Sequence, residues 1–485
     1  MNSSSLRSRR VLPLAIALAL GLPAAHAATI TVTTGGDAGT ASTCTLRQAL
    51  DSANNDAAGS SSCVAGSGDD TVLFDDNLRN STITLAGQPL QIASNVTLTG
   101  TNETINANNQ SAVLYIDPAA ITTLSYLTLT GGNSGDNPYA GAVNILSPQA
   151  NKPAHAFAAA AAKRRSTPIA HAPQAGQGTS LSHVTITGNT SKYVGGLLVE
   201  NGYASLYQCT VSNNTATGSA AFIGGGVVAL GSAVLAYGST ISGNSVPNGD
   251  EQPTGGIGGY YALIALADTT VSGNSASGSD YVAGGVAQSS SDEGSAKYGV
   301  VTLNSTISGN SATGTGTNLS GGVVLGGATG YGAAYFVNSI VDGNTASRGT
   351  TRNVDVIGSS RVQAKYSLFG TELQATLSGN GNVFAADPKL GPLADNGGPT
   401  QTRALLAGSP AIDAGNNDAA TNFQYDQRGP GFPRIVGPTV DIGAFEGGTA
   451  SAGGALPVPA LSTWGAALFA AVLALFGFAA RRRRS

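Results

Sequence analysis

The heptad STISGNS stands at residues 239–245 and again at 305–311, with TTVSGNS between them at 269–275. Related Gly-Asn or Asn-Asn steps extend the series, so that its asparagines fall at Asn189, Asn214, Asn244, Asn274, Asn310 and Asn344, 25 to 36 residues apart. A period of this length marks stacked units, each too small to bury its own apolar face. Three residues before each Asn stands Ile186, Val211, Ile241, Val271, Ile307 or Val341, flanked mostly by Thr and Ser. One β-branched residue between two hydroxyl residues is a short strand with a single inward side chain.

A second strand follows a glycine pair in each unit, as in Gly226-Val227-Val228 and Gly322-Val323-Val324, and a third lies between, as in SAVLAYG at 232–238. No helical period competes. About three short strands per unit with variable turns predict an all-β, right-handed parallel β-helix. A leucine-rich repeat would need a leucine skeleton, and a propeller about four strands per blade. Equivalent residues of stacked coils lie about 4.8 Å apart. The six asparagines are therefore expected to pass side-chain hydrogen bonds from coil to coil. The position six before each Asn is also polar (His183, Gln208, Asp268, Asn304, Asn338), with Gly238 as the exception.

Composition fits an extracellular solenoid. Glycine is 67 of 485 residues and only 10% are charged, against roughly 25% in an average soluble domain. The net charge of −4 understates the acidity of the body, because Arg7, Arg9, Arg10 and the arginines at 481–484 sit in the terminal segments. No basic stripe remains for nucleic acid.

Residues 1–27 combine a basic start, an apolar run and the small-x-small step Ala25-His26-Ala27, the pattern of a cleaved signal peptide. At the other end, residues 461–480 are uncharged and mostly apolar, about 30 Å as a helix, and four arginines follow at once. This is a membrane span with a basic stop. The sequence thus divides into a signal peptide (1–27), an N-terminal capping segment (28–80), the β-helix (81–385), a C-terminal cap (386–446), a linker (447–457) and a membrane-associated tail (458–485). Within the β-helix, residues 148–179 form a low-complexity insertion rich in Ala and Pro.

CTLRQALDSAN at 44–54 has the spacing of an amphipathic helix able to cover the open edge of the first coil. Cys44 and Cys63 are the natural disulfide pair in an oxidising compartment, leaving Cys209 as a buried thiol. The same CTLRQALDSAN resembles the CSLREA segment. DPKLGPLADNGGPTQTRALLAGSPAIDAGN at 387–416 and DQRGPGFPRIVGPTVDIGAFE at 426–446 are similar to the choice-of-anchor Q family. VPALSTWG at 458–465, with Val458, Pro459, Leu461, Ser462, Trp464 and Gly465 as its core, resembles an IPTL-type sorting signal of Gram-negative envelope proteins. Ala460 and Thr463 depart from it. These resemblances imply a pectin-lyase-like β-helix on the cell envelope, tethered at least transiently through the C-terminal helix and processed by a sorting protease. They imply no particular reaction.

Inverting glycoside hydrolysis needs converging carboxylates, and lyase chemistry a base beside carboxylates that hold calcium. Between 180 and 345 the acids are Glu200, Asp250, Glu251, Asp268, Asp280, Asp292, Glu293 and Asp342, the bases Lys192 and Lys297, and no two acids share a column in adjacent coils. The dense charges near the end (Asp413, Asp418, Asp426, Arg428, Arg434, Asp441, Glu446) read as a cap whose arginines pair with its acids over the last coil. Asp69-Asp70 and Asp75-Asp76 could bind calcium or solvate strand ends. His155 and His171 have no acidic or Cys partner nearby. The reading favours a non-catalytic surface protein that contacts a polysaccharide or a host or matrix ligand, with Tyr193, Tyr203, Tyr207, Tyr260, Tyr261, Tyr281, Tyr298 and Tyr331 available to stack on sugars. No cofactor or resident metal is expected, and the catalytic residues of the alternative, a polysaccharide lyase or glycoside hydrolase, cannot be named from sequence.

Overall fold

The structure is a computed structural model that describes residues 27–59, 61–137, 139–146, 178–220, 222–290, 299–326, 333–348, 351–352, 354–358 and 362–447. Outside these lie the signal peptide apart from its last residue, nearly all of the 148–179 insertion, the tail from 448 onward with its six sorting residues, and Asp292, Glu293, Lys297, Tyr298 and Tyr331. Among the described residues no helix is long and apolar enough to cross a membrane; the 461–480 stretch is not among them.

One coil shows the plan. Val227–Leu230, Ala233–Tyr237, Thr240–Ser242 and Ser245–Val246 follow one another around the turn. Each pairs in parallel with its counterparts in the coils before and after: Val211↔Ile241 and Ile241↔Val271, for example. Stacking of this kind is a parallel β-helix, with the right hand that twisted strands impose on parallel crossovers. This coil has four strand segments, one more than the about three expected, whereas the last two described coils, Val354–Gly358 to Leu368–Phe369 and Glu372–Gln374 to Val383–Phe384, have three. The fourth, two to four residues long just after the Asn, is too short to show an alternation in the sequence.

Many of the changes of direction use the left-handed backbone region. Gly243, Gly273, Gly309 and Gly343 supply it before the asparagines, where glycine carries no Cβ penalty. At the corner between the second and third segments it falls to the polar column itself: His183, Gln208, Gly238, Asp268, Asn304 and Asn338 have φ between 42° and 59°. The exception of Gly238 is thereby explained, since what the column requires is a tolerated positive φ and not a polar group.

The inward residues Ile186, Val211, Ile241, Val271, Ile307 and Val341 are at most 1% exposed and form one continuous core. Around it run two polar ladders. In the first, Asn214 donates its backbone N–H (3.1 Å) and side-chain amide (2.9 Å) to Oδ1 of Asn244, Asn244 does the same to Asn274, Asn274 to Asn310, and Asn310 to Asn344. Asn189 begins the series by donating to Asn214. In the second, backbone N–H groups donate to hydroxyls one coil on, from Cys209 to Ser239, Ser239 to Thr269, Thr269 to Ser305 and Ser305 to Ser339. Cys209 occupies a rung of this second ladder, its thiol donating to Leu181 O, and burial pushes that thiol up to about 12. It is an inert rung.

The N-terminal helix, Leu46–Asn55, opens with a reciprocal capping box between Thr45 and Gln48 and buries Leu46, Ala49, Leu50, Ser52 and Ala53. Asn54 bonds Gln91 O and Ala93 N, and Arg47 pairs with Asp37 at 2.9 Å, so the helix is fastened to the first coils. Cys44 and Cys63 are disulfide-bonded. The C-terminal segment does not sit over the last coil as an end cap. It runs back along the flank: Thr400 bonds Gly238 O, Gln427 bonds Thr240 and Thr270, Arg403 bonds Ser308, Asn416 bonds Asn338 and Ala444 bonds Thr306. The flanking hydroxyls of the coils offer a row of partners along the axis, whereas the last coil offers only its edge.

Candidate functional site

The first segments stack into a ten-stranded sheet, and its outer face is hollowed at one place. Gly258 lies between Val228 and Ala287 in register, so two small side-chain positions next to Val228 make a floor. Phe222, Tyr260 and Tyr281 stand around it, with Gln252, Thr254 and Ser289 as polar neighbours, and the resulting shallow groove has an empty volume of about 360 Å³ including its open mouth. The rings of Phe222 and Tyr260 meet with centroids 4.6 Å apart, and Tyr260 meets Tyr261 edge-on at 4.7 Å.

The rim is built on left-handed corners of the coils. Phe222, Gln252 and Tyr281 occupy the same corner in three consecutive coils, and all three are left-handed, with φ of 59°, 60° and 50°. Aromatic residues hold other left-handed corners of the coils too, Tyr126, Tyr261 and Tyr366, so the conformation belongs to the coil plan and sets where the rings stand. Phe222 did not enter the sequence reading because its alignment with Tyr281, two coils on across Gln252, is set by turns of unequal length. Spacing alone did not mark it; the corner assignment does.

Two acids stand next to the rim: Glu251 and Asp280 precede Gln252 and Tyr281 and pair in register one coil apart, so two acids of the repeat do share a column in adjacent coils, against the sequence reading, because the variable turns bring them there. Asp250 accepts from Ser279 Oγ, and Asp280 accepts from the backbone and side-chain amides of Asn318. Asp268 is buried against Arg434 at 3.0 Å, and the second guanidinium nitrogen of Arg434 binds Glu446 at 2.9 Å. Burial pushes Asp268 and Glu446 up to about 7, against the pull of that guanidinium. Arg428 pairs with Asp426 at 2.6 Å and lies between the rings of Phe432 and Phe445. The terminal charges therefore pair as the sequence suggests, but they fasten the flank instead of the end. Asp70 accepts from Ala28 N and Ser67 N, Asp75 caps a short 3₁₀ turn and Asp69 accepts from Asn95. Among the described residues no three His, Cys, Asp or Glu side chains gather as a metal site.

Two carboxylates do converge, and one of them was missed by the sequence reading. Asp355 occupies the column of Gly226, Gly256, Gly285 and Gly322, where a Cβ on each of the four glycines would overlap the next coil's backbone carbonyl. At the column's end that restriction lapses, and the Asp355 side chain enters the coil to accept both donors of Asn344. Beside it stands Asp342. Exposures of 0% and 2% place both beyond the reach of a polymeric substrate.

A parallel β-helix with a helix-capped N-terminal end, a flank-bound C-terminal segment and an aromatic groove on one sheet is thus the class defined by the coordinates. Residues 457–484 match the IPTL-CTERM motif, and the six sorting residues lie within that range. No curated protein matches the chain. Among solved structures it is similar to pectate lyase Pel9A, at 13% identity and a TM-score of 0.43 over 86% of this chain and 96% of that one. It is also similar to a mannuronic acid specific polysaccharide family 6 lyase from human gut microbiota, at 10% identity and a TM-score of 0.21 over 66% and 78%.

Proposed function

We propose that the chain is an exported β-helix, sorted to the cell envelope through its C-terminal motif, which binds carbohydrate on the outer face of the ten-stranded sheet without cleaving it. The observation that carries this reading is the groove. A pyranose ring has an apolar C–H face and a rim of hydroxyls; an aromatic surface desolvates the former, while Gln252, Thr254 and Ser289 suit the latter. The IPTL-CTERM match supports sorting, and the likeness of residues 44–54 to the CSLREA segment and of 387–416 and 426–446 to choice-of-anchor Q proteins supports display on an envelope. Asp250 and Asp280 are engaged in turns, Asp268 in an ion pair and Asp342 in the interior beside Asp355, which favours binding over lyase or hydrolase chemistry, while Glu251 stands exposed next to the rim. The test is a glycan-binding screen with the purified chain, run in parallel with reducing-end and unsaturated-product assays on uronate-rich and neutral polysaccharides. Retention without turnover is expected; turnover abolished by one acidic substitution would replace this reading with the enzymatic one.

A further inference from the structure

The asparagine ladder has a direction. Each rung donates toward the C-terminal end, so the last rung, Asn344, needs an acceptor that has nothing left to donate onward. Asp355 Oδ1 fills that role, taking the Asn344 backbone N–H at 3.2 Å and its side-chain amide at 3.0 Å. The other oxygen, Asp355 Oδ2, is buried without a hydrogen-bond partner, and so is Oδ2 of Asp342. The two carboxyl groups meet over Gly370: a Cβ there would overlap Asp355 Oδ2 and lie 3.0 Å from Asp342 Oδ1. Two ionised carboxylates in one dry site repel each other and leave both lone oxygens unsatisfied. One proton held between Asp355 Oδ2 and Asp342 Oδ1, the oxygen that also accepts from Gly343 N, removes the repulsion and gives Asp355 Oδ2 a partner, since a carboxylic O–H donates to the neighbouring carboxylate.

We propose that Asp342 and Asp355 share a proton, and that this proton latches the strands of residues 354–358 and 362–370 to the end of the asparagine ladder, releasing them as the surroundings pass from acid to neutral. The other groups around the pair do not supply a counter-charge. Asp387 adds to the repulsion on Asp342, Glu372 follows on the strand paired with residues 354–357, and Arg403 of the flanking segment is committed to Ser308 Oγ and Gly391 O. Burial, with the Asp342 charge adding to it, raises Asp355 to about 7 against the amide of Asn344, and burial raises Asp342 to about 6. Because the folded state binds the proton more tightly than the unfolded one, the stabilisation is complete below about pH 4 and is lost as pH climbs toward 7. The two groups titrate as a pair. No feature of the sequence advertises this device except the break in the glycine column.

Hydrogen exchange of the full-length chain, corrected for intrinsic rates, tests it. The opening constant for peptides spanning 340–345 and 354–358 should rise about tenfold per pH unit from pH 4.5 to 6.5, the slope for one linked proton, and level off above about pH 7. Asp355→Asn keeps the acceptor for Asn344 and supplies a permanent donor toward Asp342, so its slope should vanish. A flat wild-type profile, an equal slope in the variant, or millimolar calcium closing the coil at pH 8 would each overturn the proposal, the last by showing a cation site. Should the variant not fold, carboxyl-carbon NMR of the aspartate-labelled wild type decides: a pair that loses both protons below pH 5 contradicts it.

Discussion

Asn344 sets two donors on a single oxygen of Asp355, although Asn344 follows the third segment of one coil and Asp355 begins the first segment of the next. The ladder thus ends on a side chain from a different wall of the helix. Every earlier rung ends on the equivalent residue one coil along, so each rung depends on its neighbour being an amide.

The first prediction concerns an interior rung. Asn274 accepts two bonds from Asn244 and donates to Asn310 and to Ile241 O. Asn274→Leu orphans the two buried donors of Asn244 at about 1–3 kcal/mol each. Denaturant unfolding should show a loss of about 3 kcal/mol, with carbohydrate retention unchanged; an unaltered unfolding curve would remove the ladder from the stability account.

Arg434 joins the flank to the coils. Arg434→Met leaves Asp268 and Glu446 buried without their counter-charge, a loss of about 3–5 kcal/mol. Limited proteolysis should then cut within 387–447 while the coils stay intact, which circular dichroism would register as retained strand signal.

At the groove, Tyr281→Asn keeps a side chain that tolerates the left-handed corner and removes the ring. Thermal unfolding should change by less than about 1 kcal/mol in either direction. Carbohydrate retention should fall at least tenfold. Undiminished retention would relocate the binding surface.

Reduction of the Cys44–Cys63 bond reopens a loop of about twenty residues, worth about 3 kcal/mol by chain entropy. The N-terminal helix should lose exchange protection in dithiothreitol before the coils do, and Cys44→Ser with Cys63→Ser should reproduce that effect without reductant.

The ladder and the inward apolar column were legible because each is a nearest-neighbour relation repeated at nearly constant spacing. Positions such as Ile241 and Asn244 declare their roles through their copies. The fourth strand segment was not legible, since Ser245–Val246 offers no alternation to read. Asp355 stood outside the reading for a related cause: it departs from a glycine column, and a departure shows only once the register is known. The flank of the C-terminal segment was beyond reach, because Arg434 and Asp268 are 166 residues apart and pair through a surface that exists only after the coils have stacked.

The sequence by itself determined the stacking, because identical neighbours along an axis satisfy one another's backbone, amide and hydroxyl groups whatever the rest of the chain does. Only the tertiary structure decided where the departures from the repeat meet. Phe222 and Tyr281 become one rim, Asp342 and Asp355 one sealed pair, and the terminal charges a brace along the side. Each of these depends on distances between residues that the repeat does not relate, and such distances are set by the folded coil as a whole.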